Sequence, residues 1–348
     1  MRFGVSLLGI GAAGAAALYV LARRYRTPKL TAELLVNPNC ELGEGPYWDA
    51  RTNALLSLDI LAAKIYVLHG DVNFTVHDLS EHTSSVSTIV PVQGTRSQVI
   101  LGVQGGFALY DLETRKFEPH PSNGSLHGEY TRMNDGKCDP QGRLWLGSIA
   151  RTGPGGADLI PGASALYVLE RWSSTPTKVI EGVTVSNGVT WSADGKTMYY
   201  TDSPTFKVDA FDFDGEAKTH AALAKARRCT IEVCSSFPPV PDGCALDTQG
   251  KLWVACFGAG EVRRYDPATG ALLATVVLPE AAGKESTACA FGGDSLDELY
   301  ITTAHEFWDE AKQARMPLAG GLFKVSRDAL ASLGGGAIRG QPMHYFIR

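Results

Sequence analysis

A polar turn followed by a short apolar run recurs six times along this chain, at intervals of about 50 residues. The runs are residues 51–60, 94–103, 140–149, 193–202, 248–257 and 295–304. Each is followed by a second run with an aromatic near its middle, at 63–69, 107–113, 164–170, 207–213, 261–267 and 321–326. All are short, rich in β-branched and aromatic residues, and bounded by Gly, Asp, Asn or Pro, which is the pattern of strands. Almost no segment after residue 30 keeps a 3.6-residue period, which excludes a solenoid of helix pairs. Repeats of this length, each holding several strands, suit propeller blades. The expected fold is therefore all-β, a six-bladed β-propeller; two sandwiches in tandem are the structural alternative.

In a propeller the first strand of each blade lines the central channel. The residues opening each repeat should thus meet at one mouth of it. They are Glu44-Gly45-Pro46 in the first repeat, Asn134-Asp135-Gly136-Lys137 in the third, Asn187-Gly188 in the fourth and Asp242-Gly243 in the fifth. The second and sixth repeats offer Ser84-Ser85 and Ser286-Thr287. Any one Asn-Gly or Asp-Gly pair alone reads as a turn former. The set, in register with the repeats, reads as a ring of hard oxygen donors suited to Ca²⁺, Mg²⁺ or Mn²⁺ rather than to soft metals. No His occupies an equivalent place.

Outside the repeats, the most distinctive feature is the start of the chain. Phe3 to Ala22 carries no charge and is followed by Arg23, Arg24 and Arg26. As a helix it would span roughly 30 Å, one hydrocarbon core. Residues 1–28 are read as a signal-anchor or targeting segment and 29–348 as the propeller. The heavier positive flank follows the span, which favours a membrane anchor through residues 3–22 with a cytosolic propeller. A segment cleaved on the way to secretion or an organelle, and a helix packed on the soluble domain, stay open. The sequons at Asn73 and Asn123 favour the lumenal side but are short motifs.

The net charge is −5, and no Lys/Arg run occurs past residue 30, so a nucleic-acid partner is not expected. Seven Cys cannot all pair within one chain. Cys138, Cys244, Cys256 and Cys289 lie in apolar runs and read as buried thiols. Cys229 and Cys234 could form a local disulfide. No CxxC pair suggests a structural zinc. Nothing in the sequence sets the oligomeric state.

Several strings resemble the senescence-marker-protein-30 (regucalcin)/gluconolactonase family. They include Glu44-Gly45-Pro46-Tyr47-Trp48, Arg132-Met133-Asn134-Asp135-Gly136-Lys137, Val185-Ser186-Asn187-Gly188-Val189-Thr190-Trp191, Tyr199-Tyr200-Thr201-Asp202, Pro241-Asp242-Gly243-Cys244-Ala245-Leu246-Asp247 and Gly250-Lys251-Leu252-Trp253-Val254-Ala255-Cys256. Their order and spacing carry the resemblance, which spans residues 32–330. It implies a six-bladed propeller that hydrolyses lactones with one divalent cation, Ca²⁺ first and Zn²⁺, Mg²⁺ or Mn²⁺ as alternatives. It also implies that Glu44, Asn187 and Asp242 are the metal ligands and that Arg132 and Asn134 hold substrate. Asp242 would double as general base.

The resemblance has gaps. In the vertebrate sugar-lactone hydrolases an acidic sugar contact follows the Gly-Thr-Met-Ala string. Here Gly147-Ser148-Ile149-Ala150 is followed by Arg151, with Asp158 the nearest acidic substitute. The stretch from Cys229 to Pro241 also lies outside the family core. The expected partner is a small lactone, sugar-type or related, opened by metal-activated water. No Gly-x-Ser-x-Gly motif argues for an acyl-enzyme. An esterase or phosphotriesterase on the same metal, and a non-catalytic calcium-binding protein, are the rival functions.

Overall fold

The computed structural model describes residues 27–348 apart from 71–72, 125, 127, 129, 154–157 and 217–226, with backbone alone for 227–230. The described strands form six sheets arranged as blades, antiparallel but for one edge pair. The first blade runs outward through Gly43–Asp49, Ala54–Asp59, Lys64–His69 and Asn73–Asp78. The next four blades repeat this order, with innermost strands Val86–Pro91, Thr131–Cys138, Ser186–Trp191 and Val240–Leu246. The sixth blade starts at Ser286–Gly292. Each polar-turn run of the sequence supplies a second strand, and each aromatic-centred run a third.

The ring closes through the first described residues. Glu33–Val36 is the outermost strand of the sixth blade, antiparallel to Leu322–Val325. Lys29–Thr31 joins the edge of the fifth blade, parallel to Leu272–Val277. Eight residues thereby add backbone pairing to two blades that already pack on each other through Trp253, Phe291 and their neighbours. This strap carries no repeat signature, so the sequence pattern did not reveal it.

The polar turns are held by a recurrent device. Asp139 is wholly buried and accepts from the Gln141 and Arg143 amides, from Arg143 Nε at 2.6 Å and from Trp145 Nε1 at 2.8 Å. Asp247 repeats it, accepting from the Gln249 and Lys251 amides, Trp253 Nε1 and Arg264 Nε. The carboxylate thus ties the turn to the next strand and fixes an indole in the inter-blade core. Trp145 meets Trp191 and Phe213 edge-to-face, with centroids 5.8 and 5.6 Å away. Burying one large apolar side chain this way contributes about 1.5–3 kcal/mol.

The far end of the channel is covered by the C-terminal tail. Gln341 N donates to Leu246 O, Phe346 N to Pro91 O and Ile347 N to Gly142 O, so the tail stitches three blades. Lys137, Trp191, Leu246, Phe291 and Met343 line the small space beneath it. The cysteines Cys138, Cys244, Cys256 and Cys289 are buried free thiols. Cys234 is also a free thiol, donating to Pro239 O at 2.7 Å. Among the described residues no helix is long and apolar enough to cross a membrane. The apolar span 3–22, and with it the expected N-terminal helix and anchor, lies outside the described residues.

Candidate metal centre and substrate cavity

Every innermost strand breaks register with its neighbour at the same level. The one-residue bulges fall between Glu44 and Tyr47, Val86 and Thr88, Met133 and Gly136, Asn187 and Val189, Pro241 and Cys244, and Ser286 and Cys289. A bulge bends the strand and re-aims a side chain. Glu44, Asn134, Asn187 and Asp242 stand at these bulges. In the second blade the residue within the bulge is Ser87, so the register overturns the expected Ser84-Ser85. Thr287 stands at that level in the sixth.

The glycines after Asn187 and Asp242 serve convergence more than turning. A Cβ on Gly188 would sit 2.6 Å from the Asp242 carbonyl, and one on Gly243 would sit 2.5 Å from Ala288 Cβ. Neighbouring inner strands approach too closely there for any side chain.

Glu44, Arg132, Asn134, Asn187 and Asp242 all line one cavity of about 500 Å³. An amide chain fixes three of its polar groups. Asn134 Nδ2 donates to Asn187 Oδ1 at 2.7 Å and to Ser186 O. Asn187 Nδ2 donates to Ser203 Oγ at 2.8 Å, and that hydroxyl donates to Pro241 O. Asn187 therefore presents its oxygen, with its nitrogen committed behind it. Arg132 Nη1 donates to Asn134 Oδ1 at 2.6 Å and to Met133 O.

The two carboxylates are poorly served. Glu44 Oε2 accepts from the Gly45 amide at 2.9 Å. Asp242 is buried, and its Oδ1 has no hydrogen-bond partner. Burial, then the like charge of Asp135, pushes the Glu44 carboxyl up to about 8. Burial followed by the charges of Glu44 and Asp135 pushes Asp242 far above the usual carboxylate range. Burial also lowers the Arg132 guanidinium to about 10, against the pull of Glu306, Glu44 and Asp242. A site with two buried acids, an oriented amide oxygen and an orphaned carboxylate oxygen fits a hard divalent cation, whose charge reverses this pKa logic. Among the described residues no three His, Cys, Asp or Glu side chains are grouped to hold a metal. The candidate set has two carboxylates and an amide.

Two features escape the sequence reading. Asp158 does not line the cavity, whereas Glu306 does, and Glu306 pairs with Arg151 at 3.1 Å. The acidic group near Arg151 thus comes from the connection after the sixth blade's second strand, far away in sequence. Phe237 also reaches the cavity from the loop that interrupts the family pattern. Neither connection carries a repeat cue, so local patterning could not place them.

A six-bladed ring, closed at one end and floored at the other by carboxylates and amides, defines a class of axial-site propellers. The model of the SMP-30/Gluconolactonase/LRE-like region matches residues 42–305. The chain belongs to this family. Regucalcin from Pongo abelii is 35% identical over 309 residues, covering 84% of this chain and 93% of that protein. The solved calcium-binding protein regucalcin from Agrobacterium tumefaciens has a TM-score of 0.77 at 24% identity, covering 92% of this chain and 99% of its own. A luciferin-regenerating enzyme has a TM-score of 0.73 at 26% identity, covering 91% and 100%.

Proposed function

We propose that this protein hydrolyses small lactones at the axial cavity, with one divalent cation held by Glu44, Asn187 and Asp242. The observation that carries this reading is the unpartnered Asp242 Oδ1, buried beside Glu44 in the cavity floor. When bound, a divalent cation polarises a carbonyl oxygen and acidifies water. Asp242 takes the proton of the attacking water. The water oxygen bonds to the carbonyl carbon, the ring C–O bond breaks, and the proton passes to the leaving ring oxygen, giving a hydroxy acid. Arg132 and Asn134 orient the lactone, since both are fixed in the same hydrogen-bonded chain. Asn187 keeps its oxygen aimed at the floor because Ser203 holds its nitrogen.

Ca²⁺ is the proposed ion, supported by the all-oxygen donor set and by one structural neighbour named as calcium-binding. The apolar span 3–22 is proposed to hold the propeller at a membrane on its cytosolic side. A lactone, ester and phosphotriester panel, run with and without chelator, tests the activity. Lactone turnover that chelator removes and Ca²⁺ restores supports it. Ca²⁺ binding without turnover of any substrate would assign a non-catalytic cation protein instead, and chelator-resistant turnover would remove the cation from the reaction.

A further inference from the structure

The cavity floor is polar, but most of its wall is apolar. Above Glu44 and Asp242 the apolar part is built from Leu42, Ile149, Phe206, Phe257, Phe237 and Phe307. None of these side chains can donate or accept a hydrogen bond. Leu42 and Ile149 are buried. Phe237 and Phe307 stand at the rim, 69% and 58% exposed. Two phenyl rings left largely in water at the mouth of a cavity mark it as a surface awaiting an apolar occupant.

The charged pair in the wall is turned on itself. Arg151 Nη2 pairs with Glu306 Oε1, and its guanidinium lies over the Phe307 ring, 5.0 Å from the centroid. On the floor, Asn134 and Asn187 bond each other, Arg132 and Ser203. The floor can meet the carbonyl end of a ring, and most of the remaining lining is apolar. The hydroxyls of a sugar ring would leave water and meet carbon on most sides, a loss that apolar contact does not repair.

We propose that this site takes lactones bearing an apolar alkyl or aryl substituent, which lies along the phenylalanine-lined wall, and that it disfavours polyhydroxylated sugar lactones. The inference rests on the lactone-hydrolysis reading for its chemistry, but the wall is a separate observation from the floor. Apolar occupancy has a quantitative signature, because each methylene moved from water into such a wall adds a roughly constant factor to binding.

The test uses the full chain loaded with Ca²⁺. Turnover is measured for δ-lactones carrying alkyl chains of increasing length, and for glucono-δ-lactone. Binding of the matching alkyl δ-lactams, which keep the ring carbonyl but resist hydrolysis, is measured by calorimetry. The expected result is a kcat/KM rising about fourfold per methylene until the cavity fills, with glucono-δ-lactone at least tenfold below the best member. Phe237→Ser and Phe257→Ser should each flatten that slope. Lactams that bind with the slope while no lactone turns over would leave this inference standing and remove the hydrolytic reading. Efficient glucono-δ-lactone turnover with no chain-length slope would overturn this inference and leave hydrolysis intact. No slope in binding and no turnover would overturn both.

Discussion

Asp139 and Asp242 are both buried aspartates at ends of innermost strands, yet they live in opposite conditions. Asp139 is saturated: two amides, a guanidinium and an indole donate to it. Asp242 has an oxygen with no donor at all and like charge from Glu44 and Asp135. Asp247, five residues further along the same chain as Asp242, is saturated like Asp139. The two ends of one strand therefore carry a structural acid and a starved one. The difference teaches that burial alone does not identify a site; what identifies it is an acid the fold has declined to neutralise. Such a group destabilises the empty protein and gains its partner only on binding.

The largest expected effect lies at the starved end. Glu44→Gln or Asp242→Asn should lower Ca²⁺ affinity by about a hundredfold or more, since loss of a ligand exceeds loss of a supporting group. Calorimetric titration measures this, and lactone turnover should fall with it. Full Ca²⁺ binding by both variants would dissolve the contrast between the two kinds of aspartate.

Next comes the saturated end. Asp139→Ala leaves Arg143, only 5% exposed at its side chain, without its partner and strips Trp145 Nε1 of its acceptor. Removing one partner of a buried ion pair costs about 3–5 kcal/mol. The urea midpoint should fall accordingly, while the folded fraction keeps its Ca²⁺ affinity. A loss of affinity without a loss of stability would place Asp139 in the site rather than in the frame.

A smaller effect of opposite sign sharpens the comparison. In chelator, Asp242→Asn should stabilise the protein by about 1–3 kcal/mol, because a neutral amide replaces a buried acid with an unmet oxygen. Added Ca²⁺ should reverse the order, since only the natural protein gains binding energy from it. A melting temperature lower than the natural protein's in chelator would mean that Asp242 holds the frame together.

The same contrast explains what the sequence could and could not disclose. The saturated acids draw donors from two, four and six residues ahead, as Asp139 does from Gln141, Arg143 and Trp145, so the device is written locally and repeats visibly. Glu44, Asn187 and Asp242 were legible because they keep register with those repeats. Ser203, which turns the Asn187 amide, follows a second strand and looks like any loop serine. Glu306, Phe237 and Phe307 come from connections whose length and composition are free to vary, so nothing periodic announces them. The strap at 29–36 and the tail at 341–347 act through backbone pairing across the ring, which no side-chain pattern encodes.

The smallest expected effect tests whether either kind of acid depends on the start of the chain. Residues 1–26 precede the strap, and the first described backbone tie is Pro28 O, which accepts from Thr275 N at 2.9 Å. Removing 1–26 retains that tie, both closing strands and every side chain of the cavity floor. Ca²⁺ affinity, kcat/KM and the chelator-dependent melting temperature should therefore match those of the full chain. Partitioning should change instead: the full chain should stay with membranes through salt and carbonate washes, and the shortened chain should not. Salt screens a surface attraction of the basic residues after the span, whereas an inserted apolar helix resists it. A full chain found wholly in the wash would remove the anchor and leave the two aspartates as they are. A shortened chain with altered Ca²⁺ affinity would instead show that residues before the strap bear on the axial site, and the division between frame and site would have to be redrawn to include them.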